Sequence, residues 1–366
     1  MSGEISPEEL LAAGRRDGDS IVEDHLVSTS WHVRWDRLST GDVQAALNEA
    51  LPSTIGFRTS GSTGTPRTWS RSRDSLLAEA RMLASLAGSP AAFLSFAPPR
   101  HLFGTLTSII VPALLKIPVY YVPRFTDDLP RPAGLRWGVG AIPWSFAILR
   151  RARWGMEAEQ VTVLHSTAIL PPAAREYQAE VGSHKVRIVE IFGSTETGGV
   201  ARRVAEAGDT PWQLLDDVEF ATGDRGSADD VSLSVRSPRL AVPQYGVPLP
   251  CWHMDDQVQI VDDRRFLFQG RRSSLVNVNG RRLSLDYLDH EFRKWINCAD
   301  LACVPVADDV RGEHFDLHVV TEKGTGSARV DLDAVSRQVG IRPRSLRYVD
   351  AIARTGTGKI RRIVER

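Results

Sequence analysis

Short apolar runs of strand length recur along this chain with amphipathic segments between them, and that alternation constrains the fold more than any other feature. Ala92 to Ala97, Val119 to Val122, Val139 to Ile142, Val161 to Leu164 and Val186 to Ile191 read as strands. Helical segments between several of them predict an α/β core with a mainly parallel sheet. Ligands in such sheets sit beyond the carboxyl ends of the strands. From Val218 the segments shorten to Val231 to Val235, Gln257 to Val261 and Phe266 to Gln269, separated by Gly, Asp and Pro, which predicts a β-rich subdomain. Beyond it, Asp286 to Trp295 and Val330 to Val339 have helical spacing, while Ala302 to Val306 and Leu317 to Val320 are strand-like. A small α+β domain is expected there.

Ahead of this core lies the run Thr59-Ser60-Gly61-Ser62-Thr63-Gly64-Thr65-Pro66-Arg67. Its glycines let a ligand approach the backbone, and its amides and the hydroxyls of Ser60, Ser62, Thr63 and Thr65 can donate to phosphate oxygens. Arg67 adds a positive charge. A flexible Ser/Gly linker is the plain alternative, but Pro66 stiffens the run. Apolar residues at helical spacing from Asp74 to Leu86 predict that the loop leads into a helix whose N-terminus favours anions. A Walker P-loop is disfavoured, since Gly61 is followed by Thr65-Pro66 where that motif needs Gly-Lys.

Three further segments follow the loop from Thr59 to Arg67. Phe192-Gly193-Ser194-Thr195-Glu196-Thr197-Gly198 comes first, then Gly270-Arg271 leading to Asn279-Gly280-Arg281-Arg282, and finally Arg354-Thr355-Gly356-Thr357-Gly358-Lys359-Ile360. In this order the four resemble the signatures of the adenylate-forming superfamily, which includes acyl-CoA and aryl-CoA ligases and the adenylation domains of peptide synthetases. The resemblance covers Ile55 to Arg366. It implies a large N-terminal domain, 1–269, which binds ATP and the acyl group, a hinge at 270–274, and a small mobile C-terminal lid, 275–366. Only 58 residues precede the loop, where the superfamily ordinarily has a whole subdomain, so a compact, shortened enzyme is expected, with a homodimer as one outcome.

What the resemblance implies chemically is activation of a carboxylic acid by ATP to an acyl-adenylate, with pyrophosphate leaving. The acyl group then passes to a pantetheine thiol, on CoA or an acyl carrier protein. Two anions must meet in the first step, so charge neutralisation and positioning dominate. Lys359 would bridge the carboxylate and the α-phosphate, Thr195 would donate to that phosphate, and Glu196 would hold Mg²⁺. Phe192 stands where the family has tyrosine and would pack on adenine. For the ribose diol, spacing to Val258 favours Asp256, with Asp255 the runner-up, and Arg271 would be a second ribose and phosphate contact. His101 would gate the acyl pocket, and Ser166, Thr167 and Ala168 would line its floor, in a segment that has lost the family's glycines. Gly280 would line the thiol tunnel. Further departures are Arg67 and Asn277 for lysines, Ala353 for proline, Met254 beside the ribose carboxylate, and Ser273 at the hinge.

Composition narrows the alternatives. Of 366 residues, 42% are hydrophobic and 25% charged, ordinary for a globular protein, and the zero net charge lacks the basic footprint of a nucleic-acid partner. Cys251, Cys298 and Cys303 form no CxxC pair, which argues against a disulfide scaffold or structural zinc and fits a reducing cytoplasm. The apolar stretch from Leu102 to Val122 is broken by Pro112, Lys116 and Pro118, so it reads as helix then strand rather than a membrane span. No signal peptide is visible in the acidic first 24 residues. Trp144 and His101 hint at an aryl or modest-length acyl substrate, although core packing explains the aromatics equally well. Two other readings stay open: a non-catalytic nucleotide- or acyl-binding paralogue, and an NTPase using Gly356 to Lys359.

Overall fold

The computed structural model describes residues 3–13, 21–59, 67–166, 170–205, 210–221, 231–243, 246–271, 274–278, 281–308, 312–321, 330–354 and 360–362. Internal contacts group the chain into two units. The first holds residues 1–223, 234–252 and 262–265, and the second holds 224–233, 253–261 and 266–366. The expected hinge segment, 270–274, falls within the second unit's residues, and Arg272 and Ser273 lie outside the described ones.

All five apolar runs are strands of one sheet in the first unit. In space their order is Pro118–Tyr121, Ala92–Ser95, Arg136–Ala141, Gln160–His165 and Val186–Ser194, each parallel to its neighbour. Helices Ser145–Arg151 and Pro172–Val181 form two of the crossovers. The crossover from Ala92–Ser95 to Pro118–Tyr121 starts at Leu102 and contains a π-helical turn, Leu106–Ile110, every residue of which is buried. That burial explains why the turn carries no charge, and its two polar side chains are bonded inside: the Thr107 hydroxyl donates to the Phe103 carbonyl at 2.8 Å and that of Ser108 to the Ala97 carbonyl at 3.2 Å. Gly104 permits its start: a Cβ there would lie 1.9 Å from the Pro98 carbonyl oxygen.

The parallel core is extended on both sides. Trp31–Arg34 pairs antiparallel with Pro118–Tyr121, and Gly3–Ile5 adds outside it in parallel. Trp31, Val33 and Trp35 are buried, and the Trp31 indole donates to the Leu26 carbonyl at 2.9 Å, so the residues before the phosphate loop belong to the core. On the other side the chain turns back antiparallel after Ser194 as Gly198–Val204, then again as Trp212–Leu214.

Thr54–Thr59 and Arg67–Ser72 form an antiparallel hairpin, with Val242–Pro243 added to its edge. One expectation is corrected here. A strand, Arg67–Ser72, separates the phosphate loop from the helix Arg73–Ala87, and the Ser72 side chain caps that helix by accepting from the Ser75 amide. The helix N-terminus is therefore set back from the loop by a six-residue strand, with one of its first-turn amides already capped. Leu76, Leu77, Ala80, Leu83, Ala84 and Ala87 form the helix's buried stripe.

In the second unit, the strands Asp300–Asp308, Gly312–Val320 and Leu346–Tyr348 form a sheet, beside the hairpin Leu275–Val278/Arg281–Ser284. Helices Leu285–Trp295 and Leu332–Val339 complete it, with Leu288, Phe292, Phe315 and Leu317 in a core of its own. Trp252–Ile260 and Arg265–Arg271 are the paired strands expected in the β-rich region.

Gly104→Ala forces its new methyl against backbone that cannot rotate away. A destabilisation of about 1–3 kcal/mol is expected, measured by chemical denaturation, and an unchanged midpoint would contradict the packing described.

Candidate active site

Thr59 and Arg67 are register partners at the base of the hairpin, so the strands close the phosphate loop at its root. Ser60, Gly61, Ser62, Thr63, Gly64 and Thr65 lie outside the described residues. Arg67 is exposed, whereas Trp69 and Arg71, which follow on alternate positions, are buried. Arg71 is fully enclosed.

Its guanidinium meets the second motif. Thr195 and Glu196 form the turn between Val186–Ser194 and Gly198–Val204, both half-buried, at the carboxyl end of the last parallel strand. Arg71 Nη1 donates to the Thr195 carbonyl at 3.2 Å, and the Ala241 amide donates to the Glu196 carbonyl at 2.7 Å. Behind the turn Glu79, buried on helix Arg73–Ala87, accepts from Arg71 Nη2 at 2.9 Å and from the Gly199 amide at 2.8 Å. Arg239 Nη1 lies 3.2 Å from the same carboxylate, its Nη2 donates to the Gly199 carbonyl at 2.7 Å, and its fork holds Asp217 at 2.6 and 2.9 Å. Thr197 is buried and its hydroxyl accepts from the Ser194 amide at 3.1 Å.

Electrostatics follow the geometry. Burial pulls the Arg71 guanidinium below its usual range, against the attraction of Glu79. Burial also works against charge on Arg239 and Asp217, but their mutual hydrogen bonds outweigh it, raising the arginine and lowering the aspartate. Removing one partner of such a buried pair strands the other charge, a loss of about 3–5 kcal/mol. Sequence reading missed Arg71, Glu79, Asp217 and Arg239. The available signal was a glutamate inside the apolar stripe of the helix, at Leu76 + 3, which needs a buried partner.

Elsewhere the first unit places the remaining expected residues separately. The Phe192 ring meets Trp212 edge-on at 5.2 Å, and Trp212 in turn lies under the Arg203 guanidinium at 4.4 Å. His101 is half-buried at the start of the helical crossover, and burial pushes its imidazole below the usual range, so it is neutral at pH 7. The Ser166 hydroxyl donates to the Ile191 carbonyl at 3.1 Å, while Thr167 and Ala168 lie outside the described residues. Trp144 packs edge-on against Phe96 at 5.5 Å.

In the second unit Asp256 and Arg271 are register partners across an antiparallel pair. Asp256 is buried and Asp255 exposed. Gly280 and Lys359 are outside the described residues, but the root of the Lys359 loop is not. Arg354 and Ile360 form a bridge, and the Arg361 amide donates to the Ala353 carbonyl at 2.8 Å. Arg354 holds Asp300 through Nη2 at 2.8 Å to both oxygens, and Arg293 donates to the same carboxylate at 2.6 Å. On the other flank Arg362 pairs with Asp289 at 2.5 Å and Asp286 at 2.7 Å. Two arginine-carboxylate groups therefore fix both ends of the loop to the sheet and helix of this unit.

Among the described residues no three His, Cys, Asp or Glu side chains gather as a closed metal site. Glu196 offers one half-buried carboxylate on a turn fixed through its backbone. A hard cation there would draw most of its oxygens from phosphate and water, a donor set that suits Mg²⁺. The described helices include none long and apolar enough to cross a membrane, and none of the three cysteines is in a disulfide.

No family model matches the chain. In sequence it is similar to the 4-coumarate-CoA ligase of Halorhodospira halophila, 28% identical over 251 residues, which span 67% of this chain and only 58% of the ligase. Against the 4-coumarate-CoA ligase of Rhodobacter capsulatus it is 26% identical over 336 residues, 87% of this chain and 77% of the relative. Its fold is similar to that of ATP-bound MatB from Rhodopseudomonas palustris, with a TM-score of 0.67 at 18% identity, covering 84% of this chain and 66% of MatB. The likeness to MatB is one of fold. Both sequence relatives are named as CoA ligases, and the chain spans less than two thirds of the first of them.

Burial pushes the Asp289 carboxyl up to about 6, only partly offset by Arg362 and the Cys303 amide. The folded value lies above the ordinary 3.8, so this group's stabilisation is complete at low pH and lost as pH rises through about 6. Asp289→Asn removes that titration. Its stability should fall less than wild type's between about pH 4 and 7 in denaturant titrations, and parallel pH profiles would contradict the assignment.

Proposed function

We propose that the chain converts a carboxylic acid and ATP to an acyl-adenylate and pyrophosphate, then passes the acyl group to a pantetheine thiol. The observation that carries this reading is the link through Arg71, by which the strand closing the phosphate loop holds the turn bearing Thr195 and Glu196. A carboxylate oxygen attacks the α-phosphorus, and the bond to the β-phosphate oxygen breaks in line, releasing pyrophosphate. The thiol sulfur then attacks the acyl carbon, the bond to AMP breaks, and the thiol proton goes to solvent.

Each residue is assigned the role its chemistry suits. The amides and hydroxyls from Thr59 to Thr65, with Arg67, take the β- and γ-phosphates. The Thr195 hydroxyl donates to the α-phosphate, and Glu196 would hold Mg²⁺, which supplies charge neutralisation on the phosphates. Phe192 packs on adenine, Asp256 accepts the ribose hydroxyls, and Arg271 assists. Lys359, on a loop fixed at its root by Arg354 and Arg362, neutralises the meeting carboxylate and α-phosphate. A neutral His101, with Ser166, Thr167 and Ala168, lines the acyl pocket, which takes an aryl or modest-length acyl group. Residues 275–366 act as the lid about a hinge at 270–274, bringing Gly280 to the thiol of CoA or a carrier protein. A reducing cytoplasm is the setting. The similarity to named CoA ligases supports both half-reactions.

Lys359→Ala should lower acid-dependent ATP-pyrophosphate exchange by about 10²-fold or more, the scale of one preorganised transition-state contact. Exchange at the wild-type rate would remove Lys359 from the mechanism. Nucleotide binding without exchange across aryl and aliphatic acids would contradict the activity itself.

A further inference from the structure

We infer that Arg71, backed by Glu79 and Arg239, is a positioning residue that makes the phosphate-loop hairpin and the Thr195–Glu196 turn move as one body. The inference rests on the adenylation reading above and adds residues outside the four motifs. Three observations carry it.

The first is where the buried charges spend their hydrogen bonds. Arg71 donates to the Thr195 carbonyl, Glu79 accepts from the Gly199 amide, and Arg239 donates to the Gly199 carbonyl. Three charged side chains, from a strand, a helix and a remote segment, thus converge on one turn. The second is the seating of the turn on the charges. Gly198 has φ +70°, and a Cβ there would lie 2.3 Å from Glu79 Oε2, 2.7 Å from Arg71 Nη2 and 3.0 Å from Arg239 Nη1. Only glycine lets the backbone sit this close in this conformation. The third is the path back to the loop. Arg71 lies on the same strand as Arg67, four positions on, and that strand is paired along its whole length with Thr54–Thr59 and at Trp69 and Ser70 with Val242–Pro243, which makes it a rigid spacer.

Stability alone does not account for such a cluster, because a buried ion pair replaced by apolar groups of similar volume is often neutral or stabilising. Fixed spacing does. The loop would hold the leaving pyrophosphate, and Glu196 would hold Mg²⁺, which would supply charge neutralisation. Arg71 also feels the Glu196 charge directly, so its loss alters both the position and the field of that carboxylate.

The test is the paired variant Arg71→Met/Glu79→Gln, which removes both charges together, alongside Arg71→Lys, which keeps the charge without the fork. Thermal unfolding, amide exchange of the 195–199 segment, and half-saturation by ATP and by Mg²⁺ in pyrophosphate exchange are read on each. The paired variant should fold, lose amide protection in that segment, and need about tenfold more Mg²⁺ and ATP, the scale seen when residues that orient a metal ligand are lost. KM for the acid should stay unchanged, and Arg71→Lys should fall between. If the paired variant does not fold, Arg71→Lys decides, since wild-type Mg²⁺ and ATP dependence in it would refute the role. A folded paired variant with wild-type dependence on both would refute it as well, while leaving adenylation intact. A wild-type chain inert towards ATP would instead overturn the functional reading, and this role with it.

Discussion

Glu79 is the residue on which the candidate site depends. Its carboxylate sits between two arginines and a backbone amide, inside a helix face that is otherwise apolar. Without it, Arg71 and Arg239 would face each other as buried like charges, and nothing would bind the Gly199 amide. With it, a strand, a helix and the segment around Arg239 are tied to a single turn. The cost of desolvating these groups is offset only because nearly every charge has a well-placed partner. Such networks tolerate little displacement, so the turn that carries Thr195 and Glu196 is held in one geometry.

The sheet supplies the setting for that turn. Five parallel strands deliver their carboxyl ends to one side, and the chain reverses directly after the last of them. His101, Ser166 and the Thr195–Glu196 turn each follow a parallel strand of this set, which is where an α/β sheet presents binding residues. The second unit repeats the logic on a smaller scale. Arg354 and Arg362, on either side of residues 355–359, are held by Asp300, Asp289 and Asp286.

Much of this was legible in the sequence because burial on both faces leaves uninterrupted apolar runs, as in Val161 to Leu164 and Val186 to Ile191. The C-terminal helices and strands were legible from clean periodicity. The strand Arg67–Ser72 was not, for a specific reason: its buried face carries Trp69 and then Arg71, and the arginine breaks the alternation that marks a strand. Arg239 was hidden by an arginine-rich background, in which a buried arginine looks like any other. Trp31–Arg34 is only four residues long, too short for its alternation to stand out. The choice between Asp255 and Asp256 turned on spacing alone, and the chain buries Asp256. What sequence pattern conveys is apolar burial. What it conceals is buried charge, since each such residue is explained only by partners far along the chain.

The central claim is that a carboxylate oxygen attacks the α-phosphorus of ATP. It is tested most directly by supplying the acid labelled with heavy oxygen in its carboxylate, together with ATP and CoA, and weighing the nucleotide product. The account predicts AMP carrying one heavy oxygen, left behind when the thiol takes the acyl group. ADP with labelled inorganic phosphate, the signature of an acyl phosphate, would contradict it.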